Sequence, residues 1–242
     1  MSLTIILPIY NEKESLPIMI RLLNSTLKIK HEIIAVYENE KDNAKTIGLE
    51  LTNEIKEFNI IKNKYERGVR FSIQTGVDIA KYDIIFITAV DEIFPIISIE
   101  TMYQEIFMNN FDFVSGTRYA KGGARLGGSI IGSFLSRLCN FIFNKLTKSQ
   151  LTDFTTGIKM MKKHVWISTK FESKPIGWAF AFELSIKTIL ANYKVCEIPF
   201  KSVDRLFGGK STFKVGLWTL EYLKWFFYGI LKLNIFKKTK NI

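Results

Sequence analysis

The chain reads as an α/β protein: a mostly parallel sheet flanked by helices, followed by an amphipathic C-terminal helix. Three observations predict this. Strand-like and helix-like segments alternate through the first half, the pattern of crossover units in a parallel sheet. Hydrophobic residues make up 47% of the 242, with 20 Phe and 9 Tyr, enough for a substantial core. No internal repeat, low-complexity tract or Pro/Gly linker divides the chain. One domain with an appendage is therefore the simplest organisation, the domain over residues 1–212 and the appendage over 213–242.

The elements follow in order. An apolar strand over residues 3–7 runs into Pro8, whose ring fixes φ and removes a donor, so pairing should end there. Asn11 suits the N-cap of a helix over 14–27, with Glu14 three residues on as in a capping box. Strands at 32–36, 59–61, 83–88 and 111–115 then alternate with helices at 44–57, 69–80 and 98–109. The second half breaks the rhythm. It has a helix over 129–147, a strand over 156–161, a helix over 180–191, a strand over 194–199 and a last helix from about 215 to 233. Ligands of parallel α/β sheets lie outside the carboxyl ends of the strands. That rule gathers residues 8–12, 37–42 and 89–92 along one rim.

Charge narrows the partners. A net charge of +11 asks for an anionic one: nucleic acid, an anionic membrane or a phosphate-bearing substrate. Nucleic acid is disfavoured, because there is no dense Lys/Arg run, no zinc-finger spacing and no aromatic RNA-binding signature. Cys139 and Cys196 are far apart and in no metal or redox spacing, which fits reduced thiols and a cytoplasmic setting. The chain opens almost at once on a strand, so no signal peptide is expected. No run of about 18 uncharged apolar residues occurs, so no transmembrane helix is expected either.

Three short segments carry the chemistry: Leu7-Pro8-Ile9-Tyr10-Asn11-Glu12, Ser115-Gly116-Thr117-Arg118-Tyr119 with Gly122-Gly123, and Val203-Asp204-Arg205 with Gly208-Gly209-Lys210-Ser211. Their order and spacing resemble the family-two GT-A glycosyltransferases, with their Rossmann-like nucleotide-sugar fold, on the polyprenyl-phosphate mannose or glucose synthase branch. The resemblance runs from about Leu3 to about Thr212.

It implies an inverting transferase that moves a hexose from a GDP- or UDP-sugar to a polyprenyl phosphate. By the resemblance, Pro8, Tyr10 and Glu12 lie against the nucleotide, with Glu38 and Asp42 at acidic rim positions. Arg205 is directed at the donor diphosphate, and the loop carrying Lys210 could close like a lid. Arg118 would take the acceptor phosphate, with Ser136 and Arg137 beside it and Arg125 compensating for Gly132, where the family commonly has Arg. The family's Asp-x-Asp falls at positions 89 to 91, where Ala89 replaces the first Asp. Asp91 is then the remaining ligand for Mg²⁺ or Mn²⁺, at lower metal affinity. Tyr37 and Glu38 stand where the family has paired aspartates, and Arg70 replaces a Gly at the start of the helix over 69–80. That helix N-terminus favours an anion. The turn Asp153-Phe154-Thr155-Thr156-Gly157 reads as architectural.

A phosphate acceptor also suits the residues present. A phosphate monoester is already anionic near pH 7 and needs no general base. The two histidines, His31 and His164, are expected away from the rim. Asp91, Arg118 and Arg205 are the catalytic candidates, with Asp91 the base if the acceptor is instead a glycan or lipid hydroxyl. A degenerate fold that binds a sugar nucleotide without turnover is the rival reading, kept open by Ala89 and Tyr37.

The last helix is wide and apolar, with Glu221, Lys224, Tyr228 and Lys232 on one narrow polar stripe. Trp225 and Phe226 are expected on its apolar face, and Lys237, Lys238 and Lys240 in a basic tail. This pattern suits a helix lying on an anionic membrane, with the protein peripheral to it on the cytoplasmic side. Packing on the domain and a homodimer contact are the alternatives.

Overall fold

The structure is a computed structural model and describes residues 2–127, 129–203 and 217–240. The first half holds β1 (Ser2–Ile9), α1 (Ser15–Thr26), β2 (Lys30–Tyr37), α2 (Ala44–Glu54), β3 (Phe58–Lys62), α3 (Val69–Ile79), β4 (Ile84–Ile87), α4 (Ile96–Phe107) and β5 (Phe113–Thr117). The second half adds β6 (Ala124–Leu126), α5 (Ile130–Thr147), β7 (Lys159–Lys162), α6 (Lys163–Ser168), α7 (Ala179–Leu190), β8 (Val195–Pro199), β9 (Lys201–Val203) and α8 (Leu217–Lys240).

Seven strands form the main sheet in the order β3-β2-β1-β4-β7-β5-β8. All neighbours are parallel except β7, which runs antiparallel between β4 and β5. A small parallel pair, β6 with β9, stands apart.

The period of two along a strand builds two cores. Leu3, Ile5, Leu7 and Ile9 of β1 point to one face with Leu16, Met19 and Leu23 of α1, Leu51 of α2 and Ile99 and Met102 of α4. Ile6 points to the other, with Ile73 and Val77 of α3, Phe143 of α5, Trp166 of α6, Phe180 and Leu184 of α7, and Trp225 and Leu233 of α8.

Several expectations change. β1 does not stop at Pro8. Ile6 directs its carbonyl to Thr88, towards β4, and Pro8 faces the same way, past the last β4 pair. Its missing N–H therefore costs no ladder bond, and pairing with β2 continues to Ile9. The capping box does not form. Asn11 sits in the left-handed region at φ 59°, and Glu14, at the N-cap of α1, makes no side-chain cap bond. Sequence reading also missed β6, β9 and α6, and started β7 three residues early.

The last helix changes most. α8 packs on α7 and α5, and Gly229 lets it close: a Cβ there would lie 2.6 Å from Phe143 and 2.8 Å from Ile186. Trp225 is buried, and Phe226 lies with its ring 5.6 Å from Phe143, so neither faces outward as expected. Glu221 is also buried. It accepts from the Lys174 N–H at 3.1 Å and from Trp225 Nε1 at 3.0 Å, so the polar stripe is split between inside and outside. Lys237, Lys238 and Lys240 lie on the helix itself, not in a tail. No helix among the described residues is long and apolar enough to cross a membrane.

Candidate active site

The carboxyl ends of β1, β2 and β3 form the first part of the rim. Asp42 is buried and accepts from the backbone N–H of Asn11, 3.2 Å from each carboxylate oxygen, and from that of Ala44 at 2.9 Å. It thus clamps the loop after β1 to the start of α2, while Asn11 Oδ1 accepts from the Asn43 N–H at 3.3 Å. Glu38 Oε1 accepts from the Gly68 N–H at 3.2 Å and from Ser72 Oγ at 2.8 Å. The anion at the N-terminus of α3 is therefore this carboxylate, as the free N–H groups and dipole of a helix start favour. Gly68 takes φ 138° there, a conformation open to glycine.

Outside these clamps, Tyr10 is exposed with the Arg67 guanidinium 5.5 Å from its ring centre. Arg67 is a rim residue that the sequence did not single out. Glu12 sits in the turn before α1, its carbonyl accepting from Leu16.

After β4 the chain turns through Ala89, buried Val90 and half-buried Asp91. Glu92 reaches away and accepts from Ser202 Oγ at 2.8 Å, linking this turn to β9. Among the described residues no three His, Cys, Asp or Glu side chains cluster to hold a metal ion. Asp91 supplies one carboxylate at this turn, and an ion of the Mg²⁺ kind is often held by one or two carboxylates with substrate phosphates completing the shell.

The end of β5 opens the second part. Arg118 is 11% exposed and Asp153 fully buried, and they pair through Nε–Oδ2 at 2.7 Å and Nη2–Oδ1 at 3.0 Å. Asp153 Oδ2 also accepts from the Arg118 N–H, and Arg118 Nη2 donates to Thr155 Oγ1 at 3.1 Å. The turn that read as architectural is thus the counter-ion of the central arginine. Tyr119 stacks over Arg118 and its hydroxyl meets Ser136 Oγ at 2.8 Å. Asn140 of α5 donates to Thr155 Oγ1 at 3.0 Å and accepts from the Phe154 N–H at 2.8 Å.

Behind this pair lie Lys159 and Glu197. Burial alone would push the Asp153 carboxyl up, but Arg118 and Lys159 hold it below the ordinary range. Burial works against charge on Arg118 as well, and Asp153 more than restores it. Burial pushes the Lys159 amine down to about 7 against the pull of Asp153 and Glu197, and it raises the Glu197 carboxyl.

The structure thus brings Arg118, Ser136 and Tyr119 together. Arg125 lies on β6, paired in register with Ser202 of β9, and Arg137 is exposed on α5. His31 lies near the start of β2 and His164 in α6. Arg205 and Lys210 lie outside the described residues.

A mostly parallel sheet with one antiparallel strand and a loop-built rim has the GT-A architecture. Residues 4–167 match the profile of glycosyl transferase family 2, and the chain belongs to that family. It is 24% identical over 234 residues to a dolichol-phosphate mannosyltransferase of Pyrococcus furiosus, covering 93% of this chain and 64% of that protein. It is 26% identical over 167 residues to an undecaprenyl-phosphate 4-deoxy-4-formamido-L-arabinose transferase of Yersinia enterocolitica, covering 67% and 49%. The chain therefore spans between about half and two thirds of the length of these curated relatives.

Among solved structures, glucosyl-3-phosphoglycerate synthase of Mycobacterium tuberculosis with Mn²⁺, UDP and glucosyl-3-phosphoglycerate superposes with a TM-score of 0.72 at 12% identity, over 95% of this chain and 80% of that one. Its complex with Mg²⁺ and UDP gives 0.71 at 12% identity, over 95% and 79%. At this identity the likeness shows the fold alone.

Proposed function

We propose that the chain is an inverting glycosyltransferase that moves a hexose from a GDP- or UDP-sugar to a polyprenyl phosphate, working peripheral to an anionic membrane on its cytoplasmic side. One observation carries this reading: α5 touches the Arg118 centre with one face and bares an apolar face on the other. Ser136 and Asn140 meet Tyr119 and Thr155 on the inside. On the outside Phe134 is 63% exposed, with Leu135, Leu138, Phe141 and Leu146 also exposed. α8 extends the surface with Leu220, Phe227, which is 65% exposed, Leu231 and Ile235.

An apolar surface of this extent marks an interaction site. Its charge favours an anionic membrane over a second protein copy. Residues 119–152 contain no Asp or Glu, and the one carboxylate of α8, Glu221, is buried. Arg137, Lys224, Lys232 and Lys238 are exposed on the two helices, and Lys145 lies over the Phe141 ring. Apolar side chains rimmed by cations suit the headgroup boundary. Both curated relatives are named for a lipid phosphate. A lipid phosphate held at this face would lie one helix away from Arg118.

In the reaction, a phosphate oxygen bonds to C1 of the sugar as the bond from C1 to the nucleotide diphosphate breaks, and the diphosphate leaves with the electron pair. Attack from the opposite face inverts C1. Arg118, with Ser136, Arg125 and Arg137 nearby in the chain, binds the acceptor phosphate. Asp153 and Thr155 take Nε and Nη2 of Arg118, and Nη1 is the group assigned to the acceptor phosphate. Pro8, Tyr10, Glu12, Glu38 and Asp42 shape the nucleotide end, with Glu38 and Asp42 acting through the loops they hold. Arg205 and Lys210 meet the leaving diphosphate. Asp91 would hold a divalent ion together with the donor phosphates, and such an ion supplies charge neutralisation to the leaving group.

The test is a screen of nucleotide sugars against a short prenyl phosphate, with hydrolysis and transfer read separately. A glycosylated prenyl phosphate of inverted configuration is expected. Transfer only to a sugar hydroxyl, or binding of nucleotide sugar with neither reaction, overturns the reading.

A further inference from the structure

Lys159 has no exposed surface, in the middle of the sheet between Ile87 of β4 and Ser115 of β5. A buried ammonium costs several kcal/mol unless paired, and an apolar side chain of similar volume would often be more stable. Its surroundings indicate what it does. Nζ donates to Ser115 Oγ at 2.7 Å, and that hydroxyl is within donor reach of the carbonyls of Gly116 at 2.9 Å and Asp153 at 3.4 Å. Three charged groups act on it: Asp153 from the turn after α5, Arg118 from the end of β5 and Glu197 from β8. Its partner in register on β4, Ile87, is apolar. Glu197 in turn holds Thr152, next to Asp153, through Oε2 to the N–H at 2.6 Å and Oε1 to the hydroxyl at 2.9 Å.

We propose that Lys159 is a positioning residue for Arg118: through Ser115 and the Asp153 turn it fixes the guanidinium that receives the acceptor phosphate. The inference rests on the reading of Arg118 given above. With Lys159 charged, Asp153 and Glu197 face two cations, and Arg118 retains positive potential for a phosphate. With Lys159 neutral or apolar, the two carboxylates fall on Arg118 alone, and an incoming anion meets a more negative site. Because burial pushes the Lys159 amine down to about 7, that change falls near neutral pH. Acceptor affinity should therefore decline as pH rises through neutrality.

The experiment compares the full chain with Lys159→Met and Lys159→Arg. In Lys159→Met the KM for a short prenyl phosphate should rise about tenfold or more, the range expected for a lost charge-assisted bond. The Kd for the nucleoside diphosphate should stay unchanged, and the pH dependence of the acceptor KM should flatten. Lys159→Arg should recover part of the affinity. A second readout needs no acceptor: the Arg118 Nε–H, held by Asp153 at 2.7 Å, should give a protected NMR signal that exchanges faster in Lys159→Met. A folded Lys159→Met protein with parental acceptor KM, pH profile and Nε–H protection overturns the proposal. If Lys159→Met does not fold, Ser115→Ala cuts the same link, and parental values there overturn it equally. An unchanged acceptor KM in Arg118→Ala would instead sink the assignment of Arg118.

Discussion

The two halves of the rim spend their charged groups differently. On the nucleotide side, Glu38 and Asp42 accept from backbone N–H groups at the starts of α3 and α2, and Glu38 adds the Ser72 hydroxyl. Each is a single anion on a helix terminus, Glu38 half-buried and Asp42 buried. On the acceptor side Arg118 is locked to fully buried Asp153 by a two-point ion pair, with Lys159 and Glu197 behind it. Loops clamped by backbone bonds can lose one clamp and stay folded. A dry ion cluster loses a compensated charge and leaves the other exposed to low dielectric.

The largest expected effect follows from that contrast. Asp153→Ala leaves Arg118 buried without its partner and should cost about 3–5 kcal/mol of unfolding free energy in urea titration. Because the Asp153 carboxyl is held below its ordinary value in the fold, its contribution is present above the ordinary carboxylate range and is lost as pH falls through the folded value. The parent should therefore lose its advantage over Asp153→Ala in acid. A variant as stable as the parent at pH 7 would break the comparison between the halves.

Next comes the outer face. Replacing Phe134 and Phe227 with Ser should reduce binding to anionic liposomes several-fold, and the residual binding should fall with salt. Stability should move by less than about 0.5 kcal/mol per site, as for exposed positions away from special features. Trp225 would be the wrong probe, because it is buried against the domain. A dimer lost in the double variant, with no liposome binding in the parent, would reassign the face to a subunit contact.

Sequence alone exposed the first half well, because its strands are long apolar runs and its helices have one clear apolar stripe. The rim followed from the fold class. What stayed hidden depends on tertiary contact. Arg118 and Asp153 are 35 residues apart, and no local pattern pairs them. Glu221 sits at helical spacing with exposed Lys224, yet it turns inward because Trp225 Nε1 and the Lys174 N–H need an acceptor. Asn11 has the chemistry of an N-cap, but the left-handed turn and Asp42 claim its backbone. β6 and β9 are three residues each, too short for periodicity to show. Lys159 did leave a trace, a lone charge inside Ile158-Lys159-Met160-Met161.

A smaller effect concerns the ion. Asp91→Ala should weaken the coupling between Mg²⁺ or Mn²⁺ and nucleoside diphosphate, measured by calorimetry with and without chelator, while leaving nucleotide affinity in chelator unchanged. Ala89→Asp should strengthen the same coupling by adding a second carboxylate. Equal metal dependence in all three proteins would remove Asp91 from the ion.

The smallest expected effect is at Glu38, and it sharpens the contrast most directly. Glu38→Gln keeps the shape and an acceptor oxygen for the Gly68 N–H and Ser72 Oγ but removes the charge from the start of α3. Only the charge–dipole part should be lost, about 0.3–1 kcal/mol in thermal or urea unfolding. Glu38→Ala removes the hydrogen bonds as well and should cost about 1 kcal/mol, in the range of a lost helix cap. If Glu38 acts on the nucleotide only through the loop, Gln should bind nucleoside diphosphate like the parent and Ala more weakly. Equal loss of nucleotide affinity in both would mean that the charge itself reaches the ligand, and the nucleotide side would then resemble the acceptor side more than its clamps suggest.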